Sequence, residues 1–332
     1  MWPPQWLTPV PTDAIAQGEG ELVIDFAEAF GIVTKDSIAG KAGTPLHLRD
    51  WQKELIRHVF ASDGEGYRHR TNLILMPRKN GKSALGSLTT LTSLVLGARG
   101  GETYSIAAEK EQARIVFADA KRIIESSPEL SALTKVYRDV IEMPSTGSIW
   151  RVLSAEAYSK EGLNASAVIF DEVHALQDRT MWDVMQLSMA SRQQPIMLAT
   201  TTCGVKADNT GQDSTAYQLY QYGKKVASGE IVDPAFFCAW WEAPQDADHR
   251  DPLTWQMANP GFGDIVSQAD FESAVKRTPE AEFRTKRLNQ WVSSQLSWLP
   301  NGSWAELKEE KDLDPDAEYI LGFDGSFSGD ST

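Results

Sequence analysis

The sequence predicts an α/β fold in which a central, mostly parallel β-sheet is flanked by helices and accompanied by a small lid subdomain. Three observations carry that expectation. Apolar runs at residues 73–76, 168–170 and 195–204 read as buried strands. Between them, residues 84–96, 109–126 and 181–190 carry helical signals, so strand and helix alternate as they do when crossover helices join parallel strands. Two of the strand runs also end in reactive groups, Asp171-Glu172 and Thr200-Thr201-Thr202, at the edge where open parallel sheets bind ligands.

Composition bounds the function. A chain of 332 residues that is 42% hydrophobic and 23% charged has ample material for a globular core. No apolar run approaches a membrane span, and Met1-Trp2-Pro3-Pro4-Gln5 lacks the basic and apolar regions of a signal peptide. Two cysteines, Cys203 and Cys238, make neither a disulfide framework nor a metal knuckle, which points to a reducing cytoplasm. A net charge of -14 argues against coating nucleic acid with the whole surface, but not against touching DNA through one patch.

Taken in order, residues 1–20 are rich in Pro, Gly and Gln and predict an extended arm. Residues 21–33 set Leu22, Ile24, Phe26, Ala29 and Phe30 at helical spacing, an amphipathic helix packed on the main body. A glycine-rich loop at 40–45 then leads to Arg49, Trp51 and Gln52 at the start of a helix. Those three suit adenine: the Gln amide can pair with both a donor and an acceptor of the base, and an aromatic or guanidinium plane can stack on it. The plainer alternative makes Trp51 a core anchor with Arg49 and Gln52 on the surface; the loop that follows favours binding.

That loop is Met76-Pro77-Arg78-Lys79-Asn80-Gly81-Lys82-Ser83, set between the first apolar strand and a helix. Strand, tight turn and helix N-terminus form a phosphate cradle, the arrangement of a P-loop NTPase of the RecA/ASCE type. Arg78, Lys79, Asn80, Gly81, Lys82 and Ser83 are the expected phosphate contacts, with Lys82 reaching the β- and γ-phosphates and Ser83 holding Mg²⁺. Met76 stands where the usual pattern has glycine, while Arg78 and Lys79 add two cations that suit a triphosphate better than a structural turn.

Residues 102–108 predict a strand and 109–126 a helix with Ala113, Val116, Phe117, Ala120 and Ile124 on one face. Residues 136–142 and 148–153 alternate around Pro144-Ser145-Thr146-Gly147, a hairpin signal. Next comes the strand ending in Asp171-Glu172. Successive side chains diverge, so Asp171 can serve the Mg²⁺ shell while Glu172 orients and deprotonates the attacking water. Thr200, Thr201 and Thr202 at the end of the following strand suit a sensor of hydrolysis, against the bland reading that β-branched residues simply continue the strand. Residues 212–229 predict a helix, 235–241 an aromatic strand, and 251–290 mostly helix carrying Arg277, Arg284, Lys286 and Arg287, a set that fits a solvated helix face better than a DNA-lining one.

The domain layout that follows is an arm and helix at 1–45, the ATPase core at 46–229, a lid at 230–305, a charged linker at 306–318, and at 319–332 the first strand of a second domain. With the chain stopping at Thr332, this predicts a piece cut just inside that domain.

The order Trp51-Gln52, Pro77 to Ser83, Val168 to Glu172, Thr200 to Thr202, then Phe323-Asp324-Gly325-Ser326 resembles the large terminase subunit of tailed bacteriophages over nearly the whole chain. The resemblance implies an ATPase, using ATP and Mg²⁺, that pumps double-stranded viral DNA into a procapsid. It implies a homo-oligomeric ring on the portal protein, partnership with the small terminase subunit, and the host cytoplasm as its place of work. It assigns Glu172 as catalytic base, Asp171 as the Mg²⁺-associated acid and Thr200 to Thr202 as the coupling motif. Asp324 becomes the first metal ligand of a ribonuclease H-like nuclease whose partner carboxylates lie beyond this chain, so the chain as it stands should not cut DNA. The arginine finger expected of a ring ATPase is left open between Lys160, where Arg would be sought, and Arg151.

Two further readings compete. Asp171-Glu172-Val173-His174 fits the box of superfamily 2 helicases, yet no Gln-x-x-Gly-Arg-x-x-Arg run follows Thr202. A non-hydrolysing nucleotide-binding scaffold would lack a carboxylate beside the Mg²⁺ acid, and Glu172 is present.

Overall fold

A computed structural model describes residues 2–153, 162–207 and 211–292. Its backbone runs β1 (Trp6–Leu7), α1 (Thr12–Ala16), α2 (Gly20–Phe30), α3 (Asp50–Val59), β2 (Thr71–Leu75), α4 (Lys82–Leu96), β3 (Glu102–Ile106), α5 (Lys110–Ser126), α6 (Pro128–Leu133) and β4 (Lys135–Val136). It continues through β5 (Val140–Met143), β6 (Ser148–Val152), β7 (Ala167–Asp171), a 3₁₀ turn (Val173–Ala175), α7 (Thr180–Ser188), β8 (Ile196–Thr201), α8 (Thr215–Ala227), β9 (Phe236–Trp240), α9 (Pro252–Ala258), α10 (Gln268–Arg277) and α11 (Glu280–Leu288).

The nine strands form one sheet in the order β1-β9-β2-β8-β7-β3-β6-β5-β4. The six central strands, β9 to β6, are parallel, and the antiparallel pairings are confined to β1 at one edge and the β4-β5-β6 hairpins at the other. The strand that feeds the loop, β2, is separated from the acid-bearing β7 by β8. Alternation of side chains along each central strand sorts the core onto two faces. Ile74, Ile169 and Leu198 pack with α2 to α5, while Leu73, Leu75, Val168, Phe170 and Met197 pack with α7 and α8. Helix α5 buries the Ala113, Val116, Phe117, Ala120 and Ile124 face expected of it. Helix α4 comes close to β7 because Gly86 has no side chain; a Cβ there would lie 2.8 Å from Ile169 Cδ1.

Three expectations are corrected. The arm is not merely extended: Trp6–Leu7 adds an edge strand to β9, and Thr12–Ala16 is a short helix. The boundary at residue 229 does not divide sheet from lid, because Phe236–Trp240 lies inside the sheet, parallel to β2. Its alternate side chains enter both core faces, so the aromatic run belongs to the core for the same burial reason as its neighbours. The helices α9 to α11 do form their own apolar cluster, around Trp255, Phe271 and Phe283. Finally, Arg284 is not on a solvated face: it is buried, bonding Glu280 Oε1 at 2.7 Å, Gln290 Oε1 at 2.9 Å and the Ala247 carbonyl at 3.1 Å, since a buried guanidinium must find acceptors. Arg287 pairs with Asp270 at 2.7 Å, and Lys286 with Glu282. Among the described residues no helix is long and apolar enough to cross a membrane. The linker at 306–318 and the strand at 319–332, with Asp324, lie outside the described residues, as does Lys160.

Candidate active site

The end of β2, the ends of β7 and β8, and the N-terminus of α4 converge at one edge of the sheet. β2 hands over to the loop at Met76, whose N–H donates to the Thr201 carbonyl at 3.2 Å. The chain then turns through two left-handed residues, Lys79 at φ 73° and Gly81 at φ 86°. Glycine takes that conformation without steric cost, which is why it stands at the last position before the helix. No side chain caps α4, so its first amides, which have no acceptor within the helix, are left for an anion.

The loop borders a cavity of about 920 Å³, with Arg78, Lys79, Gly81, Lys82 and Ser83 on one side and Glu172 and His174 on the other. Lys82 is buried, and its Nζ donates to the Met76 carbonyl at 2.9 Å and the Pro77 carbonyl at 3.4 Å. Burial pushes its ammonium below the ordinary value, while the charges of Glu172 and Asp171 pull it back up. The loop lysine and both carboxylates therefore share one electrostatic neighbourhood.

The two adjacent acids are treated differently. Asp171, 1% exposed, accepts from Thr200 Oγ1 at 2.7 Å and from Gln112 Nε2 at 3.2 Å. Burial and the neighbouring Glu172 carboxylate raise its pKa in spite of those donors and Lys82. Glu172 leaves the strand in a left-handed conformation (φ 56°, ψ 55°), which swings its side chain into the cavity while its N–H still donates to the Thr200 carbonyl at 2.8 Å. Burial would raise its carboxyl too, but His174 and the charges of Lys82 and Arg78 outweigh burial and hold it at about 2. Its Oε2 lies 3.0 Å from His174 Nδ1, yet this atom is shielded from solvent and has no aligned donor. The same ring nitrogen lies 3.1 Å from Thr201 Oγ1 and 3.4 Å from Thr202 Oγ1.

The three threonines lie at the end of β8, beside Asp171 and His174. Thr200 grips Asp171, Thr201 accepts the His174 N–H at 3.0 Å, and the next residue, Cys203, donates its N–H to Asn289 Oδ1 at 2.7 Å. Gln112 and His174 were not singled out as site residues from sequence. The signal for Gln112 was its place in the first turn of the helix after β3, a strand that borders β7.

Other expected contacts fall elsewhere. Trp51 is buried in the core with its ring edge-on to Trp241, 5.5 Å between centroids, so it cannot stack on a base. Arg49 gives its Nε and Nη2 to Asp264 at 2.7 and 2.9 Å. Gln52 is buried and caps α3, its Oε1 accepting the Arg49 N–H at 2.9 Å, while its Nε2 lies 3.7 Å from where a Cβ on Gly81 would stand. Of that trio only Gln52 reaches the loop. Asn80 is also turned away from the cavity: it is fully buried, and its Nδ2 donates to Asn259 Oδ1 at 2.8 Å. Arg151 lies exposed on β6.

A parallel core with an extra strand between the loop strand and the acid strand, and a loop that shares a cavity with the glutamate after the acid strand, defines a P-loop protein of the ASCE type. The family profile of the terminase large subunit ATPase domain matches residues 50–225, and the chain belongs to that family. The terminase large subunit of Enterobacteria phage HK97 is 28% identical over 328 residues, covering 94% of this chain and 61% of the relative. The crystal structure of the HK97 large terminase superposes with a TM-score of 0.68 at 26% identity, over 83% of this chain and 56% of that one. The ATPase domain of the Thermus phage P74-26 large terminase, in a mutant form, shares the fold, with a TM-score of 0.52 at 17% identity over 77% of this chain and 96% of that domain. The chain spans about three fifths of the length of the HK97 relative.

Proposed function

We propose that this chain is the ATP-hydrolysing motor of a tailed-phage terminase, which drives double-stranded DNA into a procapsid. One observation carries the reading: a phosphate loop and a cavity-facing glutamate, delivered by separate strands, border the same space. Lys82 and the uncapped N-terminus of α4 bind the phosphates, and Arg78 and Lys79 add charge from the exposed side of the loop.

Ser83 and Asp171 would hold Mg²⁺. Ser83 lines the cavity and Asp171 ends the acid strand, both oxygen donors of the hard kind that Mg²⁺ takes while keeping waters. When bound, the ion would neutralise charge on the β- and γ-oxygens. Glu172 orients the attacking water. Against burial, His174 and Lys82 hold its carboxyl well below the ordinary glutamate value, so at neutral pH it is a carboxylate able to accept a hydrogen bond from that water. Thr200, Thr201 and His174 relay the change at Asp171 and Glu172 along the end of β8.

On the terminase reading the active assembly is a homo-oligomeric ring on the portal protein, fed by the small terminase subunit in the host cytoplasm, and a longer chain carries the nuclease to which Asp324 belongs. The test is ATP turnover beside nucleotide binding. Glu172→Gln is expected to bind MgATP as the wild type does and to turn over at least about 100-fold more slowly. Equal turnover by the two proteins, or binding without turnover in the wild type, would overturn it; the second result favours a scaffold.

A further inference from the structure

The phosphate loop is held in shape from outside its own strand–helix unit. Asn80 lies between the two left-handed residues Lys79 and Gly81 and is completely buried. Its Nδ2 donates to Asn259 Oδ1 at 2.8 Å, and its Oδ1 accepts the Gly261 N–H at 3.1 Å. Asn259, the residue that ends α9, is itself buried and spends both amide protons, on the Trp255 carbonyl and on the Arg287 carbonyl, each at 2.8 Å. A second tie runs beside it: the Arg78 N–H donates to the Lys286 carbonyl at 3.2 Å. The loop thus closes onto α9 and α11 of the C-terminal cluster.

This matters because of what the loop has to do. A non-glycine residue at positive φ is strained and persists only where the surroundings over-determine it. Lys79 is such a residue, and its side chain is exposed. The buried amide next to it can hold the turn. Asn259 offers one acceptor in a site where every other polar atom of the pair is already satisfied, so Asn80 has one orientation available.

We infer that Asn259 is a positioning residue for the phosphate loop, fixing through Asn80 the left-handed turn on which anion binding depends. This rests on the nucleotide reading of the same cavity. A lost buried hydrogen bond predicts that Asn80→Ala and Asn259→Ala each weaken MgATP binding about 3- to 10-fold, and that the double variant loses clearly less than the product of the two, because the bond between them is removed by either change while Asn80 alone also bonds the Gly261 N–H and the Pro77 carbonyl and Asn259 alone the Trp255 and Arg287 carbonyls. Asn259→Asp keeps the acceptor for Asn80 but turns a carboxylate toward two carbonyls; it is expected to lower the thermal midpoint while retaining most of the affinity.

The experiment is isothermal titration of MgATP into the full chain, with amide hydrogen exchange of residues 78–85 in the nucleotide-free protein. Both alanine variants are expected to lose protection at the Arg78 and Leu85 amides, which donate to the Lys286 and Gly81 carbonyls. Asn259→Ala with wild-type affinity and wild-type loop protection overturns the inference, as does a double variant whose loss is the product of the two. A wild-type chain that does not bind MgATP would instead overturn the nucleotide reading, and the exchange data would still decide whether Asn259 sets the loop.

Discussion

Two stretches of this chain carry the residue types of a nucleotide contact, 78–83 and 49–52, and the fold treats them oppositely. In the first, Arg78 and Lys79 stay exposed at the rim of the cavity and Lys82 and Ser83 line it. In the second, Trp51 disappears into the core and Arg49 is engaged by Asp264. The difference follows from periodicity. Trp51 falls on the same face as Leu55, Ile56 and Val59, all buried, so its apolar area is worth more against the sheet than in a binding site. The 78–83 stretch has no such stripe to obey. A motif residue that also fits the apolar face of its helix belongs first to the core.

The contrast is open to direct attack, and the largest effect is expected at Lys82. Lys82→Ala removes the one buried cation of the loop, and steady-state phosphate release should fall by about 100-fold or more. Turnover near the wild-type rate would break the comparison outright. Trp51→Ala should cost about 3–5 kcal/mol of stability in chemical denaturation, the cost of emptying a core aromatic site. Trp51→Phe, which keeps most of the packing, should leave MgATP affinity unchanged; a marked loss would restore Trp51 as a base-stacking residue.

A subtler effect separates the two acids by sign. Asp171 has its pKa raised in the folded chain, so the unfolded state ionises more readily and native stability is lost as pH rises through the raised value. Asp171→Asn is therefore expected to raise the thermal midpoint at neutral pH, with the gain fading in acid below the ordinary aspartate range, while abolishing turnover. Glu172 has the opposite sign: its depressed carboxyl contributes stability above the ordinary value of 4.5, and that contribution is lost as pH falls toward about 2. Midpoints of both variants measured across the acid to neutral range check the two slopes. The smallest change belongs to Arg49→Ala. Its pair with Asp264, whose side chain is 50% exposed, should be worth less than about 1 kcal/mol by denaturation.

Much of the fold was legible because burial writes itself into local pattern. The strands of the loop, of Asp171 and of the threonines, and the apolar face of α5, are all short-range signals. What local pattern does not carry is pairing between distant segments. Trp6–Leu7 found its partner at the far end of the core, and the aromatic run at Phe236–Trp240 gave no sign that it would enter the sheet beside β2. The site divides in the same way. Lys82, Ser83, Asp171 and Glu172 announce themselves by residue type after a strand. Gln112, His174 and Asn259 matter only through what they touch, and a side chain that acts through a contact has no local signature.

On the proposed function, Lys82 and the Asp171-Glu172 pair surround one magnesium-bound triphosphate. The most direct measurement is a crystal structure of the chain with Mg²⁺ and a non-hydrolysable ATP analogue. The triphosphate is expected on the loop at residues 78–83, with Glu172 facing the γ-phosphate across the cavity. An analogue bound elsewhere, or a triphosphate on the loop with Glu172 turned away from it, would contradict the account.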